Sequence, residues 1–311
     1  MNAPRRQKCH RRKYLPTTSA WARLLVLLFA LAGCSSRKPD IPPAISADSF
    51  AALKQRIATI RGLQFSSNFS LDIRIPRPTA SEKVTEYGDQ SVDRLAEVYK
   101  RLGLIPNSTD FAKALLDFER LQQLTFYDPQ GAAAVVMPDA QSLATAFVGN
   151  RLRVNQIPAV FAITDTLQEQ NFHWKEKLRS IPSEDRRLAL RGLAYGDIVL
   201  TGLAHIAGRQ PIKWQDYTQT IGRLTTALNR LASDLPPLLR DKLIFPYRDG
   251  TQFVQWAHAV HGTRGVDALF ADPPMSTAQI LPSGEILHAT GKPPAHRPVG
   301  TDKTNERTRS R

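Results

Sequence analysis

The stretch Pro158-Ala159-Val160-Phe161-Ala162-Ile163-Thr164-Asp165-Thr166-Leu167-Gln168-Glu169-Gln170-Asn171-Phe172 decides how the chain is read. Proline suits a first helical turn, where its missing N–H costs nothing, and a helix begun there runs through Phe161, Asp165 and Gln168 to about Phe172. Upstream, Leu124-Thr125-Phe126-Tyr127 and Ala132 to Met137 flank Asp128-Pro129-Gln130-Gly131. Proline presets one turn dihedral and Gly131 permits the left-handed one, so this segment predicts a β-hairpin. Downstream, Ser183 to Ala207, stopped by Gly208, predicts a longer helix.

Working outward, Phe50, Leu53, Ile57 and Ile60 have helical spacing between Ser46 or Ser49 as N-cap and Gly62 as stop. The alternating run Phe69-Ser70-Leu71-Asp72-Ile73-Arg74-Ile75, closed by Pro76, is a strand. Helical periods cover residues 81–102 and 109–123. Further helices are expected at about Trp214 to Ser233 and Thr251 to His261, separated by Pro236-Pro237 and by Phe245 to Gly250. A short one follows Pro273-Pro274, with Ser276 or Thr277 as cap. The body is therefore α+β and mainly helical, with a small sheet or hairpin before the Pro158 helix.

The chain has 311 residues, 42% of them hydrophobic and 23% charged, with only 2 Cys, which excludes collagen-like, wholly disordered and disulfide-scaffold classes. A net charge of +14 raises the question of nucleic acid, but its distribution answers it. Residues 1–33 carry seven basic and no acidic side chains and residues 292–311 six basic and two acidic, which leaves +3 for the body. A body so near neutrality has no track for phosphates, and no nucleic-acid partner is expected.

The first 33 residues read as a signal peptide: Arg5-Arg6, Lys8 and Arg11-Arg12-Lys13 precede an apolar run from Leu24 to Gly33 that is too short to span a bilayer. Leu31-Ala32-Gly33-Cys34 resembles the lipobox of bacterial lipoproteins. The resemblance implies cleavage before Cys34 and acylation (palmitate among the acyl chains) of that residue, which becomes the mature N-terminus. Several acyl chains would anchor the protein stably in a membrane. Ser35 stands where, in the enteric sorting pattern, Asp retains a lipoprotein in the inner membrane, so outer-membrane attachment facing the periplasm is expected. Residues 34–45 form the lipidated tether, 46–287 the body, and 288–311, rich in Gly, Pro, Lys and Arg, a basic disordered tail. That tail is either a solvated end or a contact for anionic polymer or lipid.

Segments of the body, in order, resemble a family of secreted bacterial zincin-like metallopeptidases. They are Ile60-Arg61-Gly62-Leu63, Gly103-Leu104-Ile105-Pro106, Phe126-Tyr127-Asp128-Pro129, Leu167 to Phe172, Leu190 to Asp197, Phe245-Pro246-Tyr247 with Gly250 and Phe253-Val254, and Asp272 to Leu281. The resemblance implies a zincin-like single domain in which a hairpin precedes an HExxH helix. Two His at i and i+4 and a later Glu hold zinc, and the Glu beside the first His is the general base. Here those places fall to Phe161, Ala162, Asp165 and Tyr195. Phe161 has no lone pair for a metal and Ala162 cannot accept a proton. Losing the base alone removes about 10² to 10⁴ in rate. A degenerate site with no catalytic residue, no metal and no cofactor is expected, with Phe161 packed toward Tyr195.

The other candidates carry less. His258 and His261 form an i,i+3 pair, and with His173 and His205 they are either unremarkable side chains or a relocated metal site. Asp165 is either a solvated residue or the partner of Arg191 or Arg187. Asp197 is a helix-capping or polar-network carboxylate, or else functional. The aromatic residues Trp214, Tyr217, Tyr247, Phe253 and Trp256 read as core at helical spacing, or else as a ligand cage. No Gly-x-Ser-x-Gly elbow, phosphate-binding Gly loop or CxxC pair is present. The expected function is a lipid-anchored pseudoenzyme that binds or scaffolds a protein or cell-envelope component, with strand addition at the 124–137 hairpin as one means. The alternative is an envelope hydrolase with a relocated metal or non-zinc chemistry.

Overall fold

The computed structural model describes residues 45–73, 92–148, 156–208, 212 and 214–281. The signal segment, Cys34, the tether through residue 44 and the tail 288–311 lie outside the described residues. Helix α1 (Ala47–Arg61) begins where the Ser46 hydroxyl accepts the Ser49 N–H at 3.3 Å and stops at Gly62, whose φ of 68° ends it as expected. Strand β1 (Ser70–Ile73) follows. Of the helix expected at 81–102, α2 (Val92–Arg101) lies within the described residues. Helix α3 (Phe111–Gln122) is capped by Asp110, which accepts the Lys113 N–H at 3.1 Å.

The hairpin joins β2 (Thr125–Asp128) to β3 (Ala133–Val136). Its left-handed residue is Ala132, φ 44°, and not Gly131. The Asp128 carboxylate explains the shift, because it accepts the N–H groups of both Gln130 and Gly131 at 3.1 Å and wraps the turn around itself. The sheet has the order β1-β3-β2, with β1 parallel and β2 antiparallel to β3. All four residues of the central β3 are buried, as a strand covered on both faces requires.

The helical part comprises α4 (Ala140–Val148), α5 (Ile157–Phe172), α6 (Trp174–Ser180), α7 (Glu184–Ala207), α8 (Trp214–Leu231), α9 (Pro237–Phe245) and α10 (Thr251–Ala271). Helices α4, α6 and α9 were not expected. In α9 the proline pair read as a separator in fact starts a helix, with Pro237 in its first turn, by the same rule that placed Pro158. A π-helical turn, Pro246–Gly250, continues it into α10. Helix α10 breaks at Gly262, one residue past the expected end, with φ 66° and ψ −161°, and then resumes to Ala271. A 3-10 turn, Thr277–Gln279, closes the described chain.

The molecule is thus mainly helical, with a small mixed sheet ahead of the helical core. One buried cluster joins the sheet to α1, α4, α5, α7 and α8; a second lies between α6, α7 and α10; a third joins α2 and α3 to α9. Each fully buried Leu or Ile of α7, such as Leu190, Leu193 and Ile198, contributes about 1.5–3 kcal/mol relative to exposure. No described helix is long and apolar enough to cross a membrane.

Helix α7 meets the π-helical turn backbone to backbone. A Cβ on Gly196 would lie 2.3 Å from the Gly250 carbonyl oxygen, and one on Gly250 would lie 2.1 Å from that of Gly192. Only glycine permits this approach. It fixes the two residues flanking Gly196, Tyr195 and Asp197, relative to Tyr247 on the turn.

Candidate functional site

Strand β2 is an edge strand, and its hydrogen-bonding pattern leaves one side to be satisfied elsewhere. The Met137 N–H bonds the Leu124 carbonyl, so along the antiparallel register Phe126 also faces β3 and Tyr127 faces away. The outward N–H of Tyr127 is taken by Asp165 Oδ2 at 2.6 Å. The same oxygen accepts Lys175 Nζ at 2.6 Å, and Lys175 Nζ also donates to the Tyr127 carbonyl at 3.2 Å. A carboxylate from α5 and an ammonium from α6 therefore pair with both backbone groups of Tyr127 as a neighbouring strand would. This satisfies buried backbone and blunts the sheet edge at once.

Asp165 is 2% exposed, which corrects the solvated reading; its cation is Lys175, which the sequence did not single out. Arg187, one of the two cations expected for it, donates instead to the carbonyls of Ile181 and Pro182. Lys175 follows directly on a break in the helix at His173, φ 50°, which ends α5 without a glycine. That break is why no helical spacing linked Lys175 to Asp165. The ammonium also lies 5.6 Å from the centre of the Trp174 ring, a cation–π contact.

Around this pair the four positions singled out in the sequence, Phe161, Ala162, Asp165 and Tyr195, are packed. Phe161 is 5% exposed and meets Phe147 edge-on at 5.3 Å. It rests on α7 at Gly202, where a Cβ would come within 2.7 Å of its ring, so its seat is two helical turns from Tyr195 rather than the Phe161–Tyr195 ring contact expected. Ala162 is fully buried and its carbonyl accepts the Thr166 hydroxyl at 2.8 Å. Tyr195 donates its hydroxyl to the Gln122 carbonyl at 2.8 Å, and its ring lies 5.2 Å from Tyr247 and 6.2 Å from Trp174. Burial pushes the Tyr247 hydroxyl well above the usual phenol range; Tyr195 and Asp165 add to the shift and Arg191 opposes it. The cavity left between Leu124, Thr125, Leu143, Ile157, Phe161 and Tyr247 has room of about 10 Å³, enough for one water.

Zinc does not fit these residues. The side chain at 161 offers no lone pair, the one at 162 offers no base, and the Asp165 oxygen is already shared by an ammonium and an amide. Among the described residues no group of three or more His, Cys, Asp and Glu could hold a metal ion. His258 is half-buried and His261 exposed; His173 is the exposed hinge; His205 is buried, its carbonyl accepting Arg56 at 3.1 Å. Among the described residues, the aromatic side chains at 217, 247, 253 and 256 do not form one cage. Tyr217 and Tyr247 belong to the first core and Phe253 to the second, with Trp256 packed against Phe253 at 5.9 Å.

Asp197 is a network carboxylate. It accepts Arg61 Nε at 2.9 Å and Gln168 Nε2 at 2.8 Å, and Arg61 Nη2 reaches Asp267 at 2.8 Å. Burial works against the charge of Arg61, but Asp197 and Asp267 outweigh it and raise its pKa. Arg61, Gln168 and Asp267 were not foreseen as members of this hub, since they come from three different helices far apart in sequence.

No family model matches the chain. No curated protein and no solved structure matches it either.

Proposed function

We propose that the chain is a non-catalytic, lipid-anchored cell-envelope protein whose zincin-like body serves as a binding or scaffolding module. In this reading Cys34 carries the lipid, the body faces the periplasm from the outer membrane, and the partner is a protein or envelope component. The observation that carries the non-catalytic part is the Asp165–Lys175 pair bonded to the backbone of Tyr127. It satisfies the outward backbone groups of β2 at Tyr127 from within the fold, so the strand addition expected at the hairpin has no free partner there. Binding then belongs to a face away from the β2 edge at Tyr127.

The test is elemental analysis of the dialysed protein together with incubation against a mixed peptide library. Substoichiometric zinc and no cleavage are expected; stoichiometric zinc, or hydrolysis abolished by a chelator, would sink the reading and favour the hydrolase. The anchor is checked separately, since Cys34→Ala should leave an uncleaved precursor that takes up no labelled palmitate.

A further inference from the structure

The end of α2 carries an apolar cluster that the core does not use. Among the described residues seven large apolar side chains are exposed, and three of them, Val98 at 44%, Leu102 at 66% and Leu104 at 43%, fall within seven consecutive positions. Single exposed apolar residues are ordinary on a protein surface, but a group held in one shape calls for a partner. The helix end sets that shape. Gly103, φ 70°, donates its N–H to the Lys100 carbonyl at 3.0 Å and Leu104 donates to the Tyr99 carbonyl at 2.9 Å, the paired bonds of a Schellman stop. From below, Tyr99 meets Phe111 edge-on at 5.5 Å, and Ile105 is 3% exposed in the same third core. The cluster is therefore a rigid knob, and a partner need not order it on binding.

Arginine lines the same face. Arg94, Val98, Arg101 and Leu102 stand at i, i+4, i+7 and i+8, the spacing of a single helical stripe, and all four are exposed. Arg101 is paired with Glu97, whereas Arg94 has no ion pair among the described residues. An apolar stripe edged by cations is the pattern of a helix at a bilayer surface, with its apolar side chains at the acyl boundary and its cations among the phosphates. We propose that this end of α2 is where the body rests on a phospholipid bilayer: Val98, Leu102 and Leu104 enter the headgroup boundary, and Arg94 and Arg101 meet lipid phosphate. The inference rests on the reading that Cys34 carries the lipid, and it deepens that reading by giving the anchored body a face toward the membrane.

The tether selects the occupant. Residues 34–45, fully extended at about 3.3–3.6 Å each, span about 40 Å, so the start of an anchored body stays within that distance of the bilayer. A surface tied so close is present at a far higher effective concentration than a partner free in solution. The charge of the helix says how it is held. Three basic side chains, Arg94, Lys100 and Arg101, stand against Asp93 and Glu97, so attraction to anionic lipid is weak and insertion of the apolar residues leads. The depth of the knob should therefore change little with salt.

The experiment places the full lipid-anchored chain in vesicles of phosphatidylethanolamine and phosphatidylglycerol. With Cys9 removed in the signal segment and Cys34 acylated, a single introduced cysteine is the only thiol open to a spin label. Relaxation by oxygen against a water-soluble quencher should put a label at Leu102→Cys about 5–10 Å below the lipid phosphates. A label at Val260→Cys, a position similarly exposed but on α10, should stay in water. Val98→Glu, at an exposed position where the fold has nothing to lose, should return a label at Leu104→Cys to water. Chains that attach to the vesicles with the Leu102 label no deeper than the Val260 label overturn the inference and leave the anchor standing. Chains that do not attach overturn the anchor and the inference with it. Dipolar broadening between Leu102 labels, the sign of a second copy covering this face, also overturns it.

Discussion

Asp165 and Asp197 are both buried helical carboxylates, each bonded to a cation, yet they sit in opposite kinds of junction. Asp165 takes a lysine ten residues along the chain, and the pair also completes the hydrogen bonds of a strand edge. Asp197 takes an arginine 136 residues away, and every partner of its carboxylate shown here is a side chain, in a cluster drawn from four helices. The first junction ties charge to backbone and blunts a sheet edge. The second leaves polar atoms of Arg61 and Gln168 open beside a break in a helix. A buried charge set against backbone makes a plug, whereas one set among side chains makes a joint.

The sharpest way to break this comparison is Lys175→Met. It leaves the Asp165 carboxylate buried without its cation, and urea unfolding should show a loss of about 3 kcal/mol, with Lys175 still partly solvated in the wild type. Asp165→Asn combined with Lys175→Met should regain more than half of it. A loss below about 1 kcal/mol, the range of exposed pairs, would mean that the plug is not held by charge.

A smaller effect is expected from Gly196→Ala, which strikes the contact that sets Asp197 and Tyr195 against the π-helical turn. The new methyl meets backbone at 2.3 Å, so overpacking should exceed the gain in helix propensity by about 2 kcal/mol, measured by the same unfolding. Gly222→Ala, with nothing within 4 Å of its Cβ, is the control and should be neutral or stabilising. Equal effects at the two positions would show that the close approach of α7 to the π-helical turn carries no energy. The smallest effect is that of Tyr195→Phe, which removes one hydrogen bond to the Gln122 carbonyl. It should cost about 1 kcal/mol in chemical denaturation.

What the sequence by itself determined was local. Ser46, Asp110 and Ser183 cap helices through bonds to residues three places on, and Gly62 and Gly208 end them through their own left-handed conformation. The hairpin, the α5 and α7 helices and the absence of any lone pair at Phe161 or base at Ala162 were legible for the same reason. Even so, the turn put its left-handed residue at Ala132 because a side chain, not the glycine, set its course. Short helices escaped because α6 has seven residues, too few to show a period, and α9 hid behind a proline pair.

The tertiary structure alone decided which strand lies beside β3 and which cation each buried carboxylate received. Any buried carboxylate requires a partner, and the chain offers 42 Lys and Arg from which to draw it. Spacing cannot choose among them once the helix is broken at His173 or the partner lies on another helix. The choice was made by the outward face of Tyr127, which has room for Asp165 and Lys175 together, and by the glycine contact at Gly192, Gly196 and Gly250, which sets the face of α7 that meets Arg61.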